Sequence, residues 1–182
     1  MATKDPPLDI FIAAMRALSR AAGVVAALMI AAAVLVICDM VIERYGFNRT
    51  TIWQIDAVTY FIVAATFIGS PYVLMTRGHV NVDILPVYLG PRPRFVLAVF
   101  TSLVSMAFIA VLLWLTGQFW YESFEGNWRS NTVWRARLWI PYLSMPLGLG
   151  LLLLQYVADI LCLLTGRTPP FGIEGNARGA RA

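Results

Sequence analysis

Residues Phe95–Tyr121 read FVLAVFTSLVSMAFIAVLLWLTGQFWY, and this stretch holds no Asp, Glu, Lys, Arg or His. A helix of that length reaches about 40 Å, more than the ~30 Å hydrocarbon core of a bilayer. A transmembrane strand needs only about ten residues, alternately apolar and polar. The stretch is apolar on every face, so it reads as a membrane-spanning helix. In lipid the backbone has no water to bond, and a helix satisfies its polar groups internally. Three more charge-free runs follow the same logic: Ala21–Cys38, Ala57–Thr76 and Leu138–Ala158. Four spans put both chain ends on one side of the membrane.

Composition agrees. The 182 residues are 59% hydrophobic and 13% charged, with a mean hydropathy of +0.71. Soluble domains carry about a quarter charged residues, and half of that cannot coat a water-facing surface. The net charge of +4 does not indicate nucleic acid, because the arginines sit in short segments between apolar runs. Cys38 and Cys162 fall inside or beside those runs and read as small buried hydrophobes. The topology places them near opposite faces, too far apart for a disulfide.

The first apolar run is not expected to be a cleaved leader. About twenty residues precede it, and Asp39, Glu43 and Arg44 close it without a small-residue cleavage site. Lys and Arg set the orientation. Lys4, Arg16, Arg20, Arg77, Arg92, Arg94, Arg167, Arg178 and Arg181 lie on one side, against Arg44, Arg49, Arg129, Arg135 and Arg137 on the other. The richer side is expected to be cytoplasmic, giving an N-in/C-in protein. Trp53, Trp120, Trp128, Trp134 and Trp139 cluster at the outer face, with Trp114 within two turns of it. They read either as an aromatic belt at headgroup level or as a docking surface.

Three regions are expected. Residues 1–20 form a cytoplasmic tail in which Leu8, Ile12, Met15 and Leu18 recur at helical spacing, as in a helix lying along the inner surface. Residues 21–165 form the transmembrane domain. Residues 166–182, rich in Gly, Pro and Arg, form a loose tail. Val80–Leu89 reads as a second amphipathic segment, stopped by Gly90-Pro91-Arg92-Pro93.

Catalytic chemistry is hard to build from this chain. His79 is the sole histidine, so neither a bis-histidine haem nor an ordinary Cys/His zinc site is available. Nucleophile-elbow, Walker and dinucleotide motifs are missing. No cofactor is expected. Asp39, Asp56 and Asp159 lie near helix ends, and none sits mid-membrane as a proton- or cation-coupled carrier would require. Gln155 and Asp159 share a helix face and fit either a partner contact or packing within the chain. The small residues of the first span suit close helix approach in lipid. Pro146 removes one backbone hydrogen bond and should bend the fourth span.

Arg77-Gly78-His79-Val80-Asn81-Val82-Asp83-Ile84-Leu85, directly after the second span, resembles the motif of the small membrane subunit of TRAP transporters, the DctQ-like family. Trp139-Ile140-Pro141 with Pro146-Leu147-Gly148, the Gly69-Ser70-Pro71 ending and the Trp-bearing third loop are similar to that family as well. The resemblance covers nearly the whole chain. It implies a tripartite importer of organic acids driven by a sodium gradient, in which this chain is a scaffold beside a large multi-span subunit. A periplasmic binding protein delivers the solute. It further implies structural roles at Arg77, Gly78, His79 and Asp83. Arg129, Arg135 and Arg137, collected with the aromatic rings of the third loop, are candidate partner contacts, and the residues alone leave open whether they receive the binding protein. Two other classes compete: a self-sufficient homo-oligomeric carrier or channel, and a membrane anchor for a redox enzyme. The first lacks a charged path and the second lacks histidines.

Overall fold

The computed structural model describes residues 6–76 and 91–165. It is all-α. Helix α1 covers Pro6–Val41 and ends in a π-helical turn, Ile42–Gly46. Helix α2 covers Gln54–Met75, α3 Pro91–Glu125, the short α4 Trp139–Tyr142, and α5 Ser144–Leu164. Four segments are long and apolar enough to cross a membrane: α1 with its π turn, α2, α3, and α4 together with α5. They run up-down-up-down, so one end of the bundle carries the 42–53 and 126–138 connections and the other carries the start of α1 and the end of α5. The signature segment Arg77–Leu85, with His79 and Asp83, the second amphipathic stretch and the C-terminal tail lie outside the described residues.

The packing order is α1, α2, α5, α3, with α1 also meeting α5. Of thirteen buried hydrophobic side chains among the described residues, eight are alanines. Large apolar residues such as Leu28, Leu35, Phe100 and Phe108 point outward instead. Lipid removes any hydrophobic gain from burying leucine, so close backbone approach takes over as the organising force. Ile109, Leu149 and Leu152 make the one larger cluster, where α3 meets α5.

The stretch expected to lie along the membrane surface is helical, but it is collinear with the first span. Residues 6–41 form one 36-residue helix, about 54 Å long. No Pro follows the start of α1 to break it. Ile12, Ser19, Ala22, Ala26 and Ala33 are all buried, so one face continues from the tail into the bundle.

Two prolines shape the close contacts. Pro71 lies inside α2 and has no N–H for the carbonyl of Phe67 one turn back. The Ser70 hydroxyl donates to that carbonyl at 2.8 Å. Gly148 of α5 sits against the same group: a Cβ there would lie 2.3 Å from the Phe67 oxygen. Pro146, likewise, cannot donate to Tyr142, and α4 ends at Tyr142. Where a bend is expected from Pro146, the structure has a break at Leu143, with the Ser144 hydroxyl donating back to the Pro141 carbonyl at 2.6 Å. Gly23 and Gly69 bring α1 onto α2 in the same way, Gly23 under the Tyr72 ring and Gly69 against Ala26.

Candidate functional site

The connection between α3 and α4 is an ordered hairpin. Helix α3 ends when Asn127 takes a left-handed conformation, φ 46°. The Asn127 N–H then reaches the Phe124 carbonyl and the Trp128 N–H reaches the Ser123 carbonyl, 3.2 and 3.1 Å away. These paired bonds close a helix end of the Schellman type. Beyond it, Ser130 N–H donates to the Ala136 carbonyl and Leu138 N–H to the Trp128 carbonyl, at 2.9 and 3.0 Å. Arg129 and Arg137 face each other across this ladder. The turn is tightened by Arg135 N–H to the Thr132 carbonyl, 3.1 Å. Arg135 itself has φ 50°, a backbone state that costs a side-chain-bearing residue about 1 kcal/mol.

Aromatic rings clamp this hairpin onto the helices. Trp134 stacks on Tyr60 and tilts against Trp53, with centroids 6.2 and 6.3 Å apart. Trp128 meets Phe119 edge-on at 5.8 Å, folding its indole over Gly126, where a Cβ would lie 2.4 Å from its nitrogen. Trp139 packs edge-on against Phe124, and Trp120 Nε1–H donates to the Trp139 carbonyl at 3.1 Å. The Thr132 hydroxyl donates to the Asp56 carboxylate, tying the hairpin tip to the first turn of α2. Below it, Gln54 Nε2 donates to Glu43 at 2.8 Å; the π turn presents that carboxylate. So the tryptophans do more than mark a lipid interface. They fix a three-arginine hairpin in place, and Arg129, Arg135 and Arg137 are all exposed. No acidic side chain forms an ion pair with them among the described residues.

Ser123, at the base of the hairpin, is fully buried and its hydroxyl has no hydrogen-bond partner among the described residues. An orphaned buried hydroxyl costs about 1–3 kcal/mol. Ser123→Ala is therefore expected to raise the stability of the purified chain by about 1 kcal/mol, read from thermal unfolding in detergent. A loss of stability would show that the hydroxyl is bonded after all.

At the opposite end, Gln155 is buried and turned toward α1. Ser19 Oγ donates to Gln155 Oε1 at 2.8 Å, and Gln155 Nε2 donates to Asp159 at 3.1 Å. Gln155 is thus engaged within this chain, while Asp159 is exposed. Sequence reading missed Ser19. Its signal was a polar residue in register with Ala22 and Ala26. Gln155→Leu should cost about 1–2 kcal/mol by orphaning the Ser19 hydroxyl, and Ser19→Ala in the same chain should recover much of that in a double-mutant cycle. Additive losses would show that the two are not coupled.

Of the remaining sequence candidates, Trp139 and Pro141 form α4, and Pro146 and Gly148 begin α5. No group of three His, Cys, Asp or Glu side chains able to hold a metal exists among the described residues. The bonds from Thr132 to Asp56, from Gln54 to Glu43 and from Ser19 to Gln155 each tie two elements together.

Comparison with known proteins places this architecture. Residues 33–166 match the family model "Tripartite ATP-independent periplasmic transporters, DctQ component". The C4-dicarboxylate TRAP transporter small permease protein DctQ of Vibrio cholerae serotype O1 is 24% identical over 148 residues. That similarity covers 70% of this chain and 64% of the Vibrio protein, so the chain spans less than two thirds of that relative's length. No solved structure matches the chain. The matched region takes in the last quarter of α1, from residue 33, and all of α2 to α5, and the chain belongs to the DctQ family of TRAP transporter small permease subunits, multi-pass transporter components of the bacterial inner membrane that are not enzymes.

Proposed function

We propose that this chain is the fixed scaffold of a tripartite importer, that it moves no solute itself, and that it joins a large multi-span subunit carrying the transport path. The observation that carries this reading is that the threonine hydroxyls at membrane depth are consumed locally, and the one exposed amide there, Gln118, stands without a second polar group at its depth among the described residues to make a path. The hydroxyls of Thr59, Thr66, Thr101 and Thr116 each donate to a carbonyl one turn back in their own helix, at 2.7–3.0 Å. The helix interfaces between them are alanine, glycine and leucine. A polar solute finds no row of donors or charges to replace its water, so a self-sufficient carrier or channel is disfavoured.

The organic-acid substrate class and the sodium gradient come from the family resemblance. The name of the Vibrio relative favours C4-dicarboxylates. In this reading the chain ends are cytoplasmic and the hairpin periplasmic, which the arginine count supports. There Arg129, Arg135 and Arg137 meet the acidic surface of the solute-binding protein, while the outward apolar faces meet lipid and the large subunit. The test is purification of the tagged chain from its native membranes. The large subunit should co-elute in equal amount; elution as a homo-oligomer without it would refute the assignment.

A further inference from the structure

One face of α3 differs in chemistry from every other lipid-directed surface described. Between residues 21 and 37 the outward face of α1 is purely aliphatic (Val24, Leu28, Val34 and Leu35 among it), and lipid alone satisfies it. On the hairpin half of α3, Trp114, Gly117, Gln118, Tyr121, Glu122 and Glu125 line a shallow concavity. Among the described residues, helix α3 makes its extended contacts with α5 and α4 alone, and none of them covers this face.

Three features of the concavity call for a protein neighbour. Gly23, Gly69 and Gly148 each omit a Cβ where another helix of this chain arrives, whereas nothing lies within 4 Å of the Cβ position at Gly117. A glycine inside an exposed helix weakens it relative to alanine, so its use here matches the same device with the second helix missing from this chain. Gln118 is exposed within the span, and hydrocarbon cannot bond its amide. Glu122 and Glu125 continue the stripe one and two turns higher, exposed and without an ion-pair partner among the described residues. Lipid phosphates would repel them.

We infer that this face of α3 receives a transmembrane helix of the large subunit. That helix sets a bulky apolar side chain over Gly117 and bears Lys or Arg at its outer end, opposite Glu122 and Glu125. The inference rests on the scaffold reading above and names the surface through which it operates. Trp114 and Tyr121, 68% and 58% exposed, form the walls of the groove and supply large contact area at low entropic cost.

The test uses the intact complex. A benzophenone amino acid is placed at Gln118 or Tyr121, with controls at Val34 of α1 and Val104 of α3, each 53% exposed. Irradiation should join this chain to the large subunit from positions 118 and 121 and not from the controls. Adducts from the controls alone would overturn the inference and leave the scaffold reading standing; adducts between two copies of this chain would overturn it in favour of self-association. Failure of the unsubstituted chain to co-purify with the large subunit would sink both. Gly117→Trp gives a second readout, since the isolated chain has room for the ring. Its unfolding temperature should stay unchanged while co-purified large subunit falls by about tenfold or more. Undiminished co-purification would count against the groove.

Discussion

Gly148→Ala should destabilise the four-helix domain by about 2 kcal/mol, whereas Gly150→Ala, two residues further along the same helix, should be neutral or stabilising by up to about 1 kcal/mol. The contrast isolates one contact. At Gly148 the added methyl carbon would stand 2.3 Å from the Phe67 oxygen and 2.4 Å from the Phe67 carbonyl carbon. Those are backbone atoms, so no rotamer change relieves the clash; α2 and α5 must separate. Separation opens the contacts of Leu149 and Leu152 with Phe67 and Leu74. At Gly150 the nearest atom is Leu113 Cδ1 at 4.0 Å, an ordinary van der Waals distance, and alanine simply improves helix propensity. Gly148→Leu should prevent accumulation of the folded chain. Unfolding of purified variants in one detergent, by heat or by titrated denaturing surfactant, measures the difference. Equal stability of the two alanine variants would mean that the α2–α5 approach is not as close as described.

Reversing the hairpin charges, with Arg129→Glu, Arg135→Glu and Arg137→Glu together, should reduce binding-protein-dependent uptake by at least about tenfold. The three guanidinium groups are exposed and form no ion pair with an acid of this chain among the described residues. Their removal breaks no internal contact, and the fold should persist. The Trp134 stack on Tyr60 and the Thr132–Asp56 bond hold the hairpin without them. The lost term is encounter with an acidic partner, which is long-ranged and screened by salt. Uptake by the unaltered complex should therefore weaken as ionic strength rises, and that of the reversed variant should be less sensitive or change in the opposite sense. A variant with full uptake and an unaltered salt response would assign the arginines to lipid headgroups alone.

Much of the architecture is legible in the sequence because the signal is coarse. Twenty or more residues without charge, four times over, leave a bilayer as the solvent. That the fourth span departs from a straight helix near Pro146 follows from that residue lacking an N–H. The joining of the tail to the first span was not legible: helical spacing at Leu8, Ile12, Met15 and Leu18 says that a helix forms, not where it bends. Burial of Ser19 decides that, and burial depends on a glutamine 136 residues away in the chain. Gly148 stood out by pattern, but its partner could not be read, because the carbonyl it meets is released by a proline on another helix. The hairpin was visible only as a loop rich in Trp and Arg. That Trp134 stacks on Tyr60, or that Thr132 reaches Asp56, depends on the ends of α2 and α3 lying side by side.

The central claim is that the four helices support transport without conducting the solute. Its most direct measurement is labelled organic-acid uptake into vesicles under an inward sodium gradient, with this chain, the large subunit and the solute-loaded binding protein present singly and together. Uptake is expected only when all three are combined, and this chain alone should leave vesicles as tight as empty lipid. Solute accumulation in vesicles holding this chain and no other protein would contradict the account.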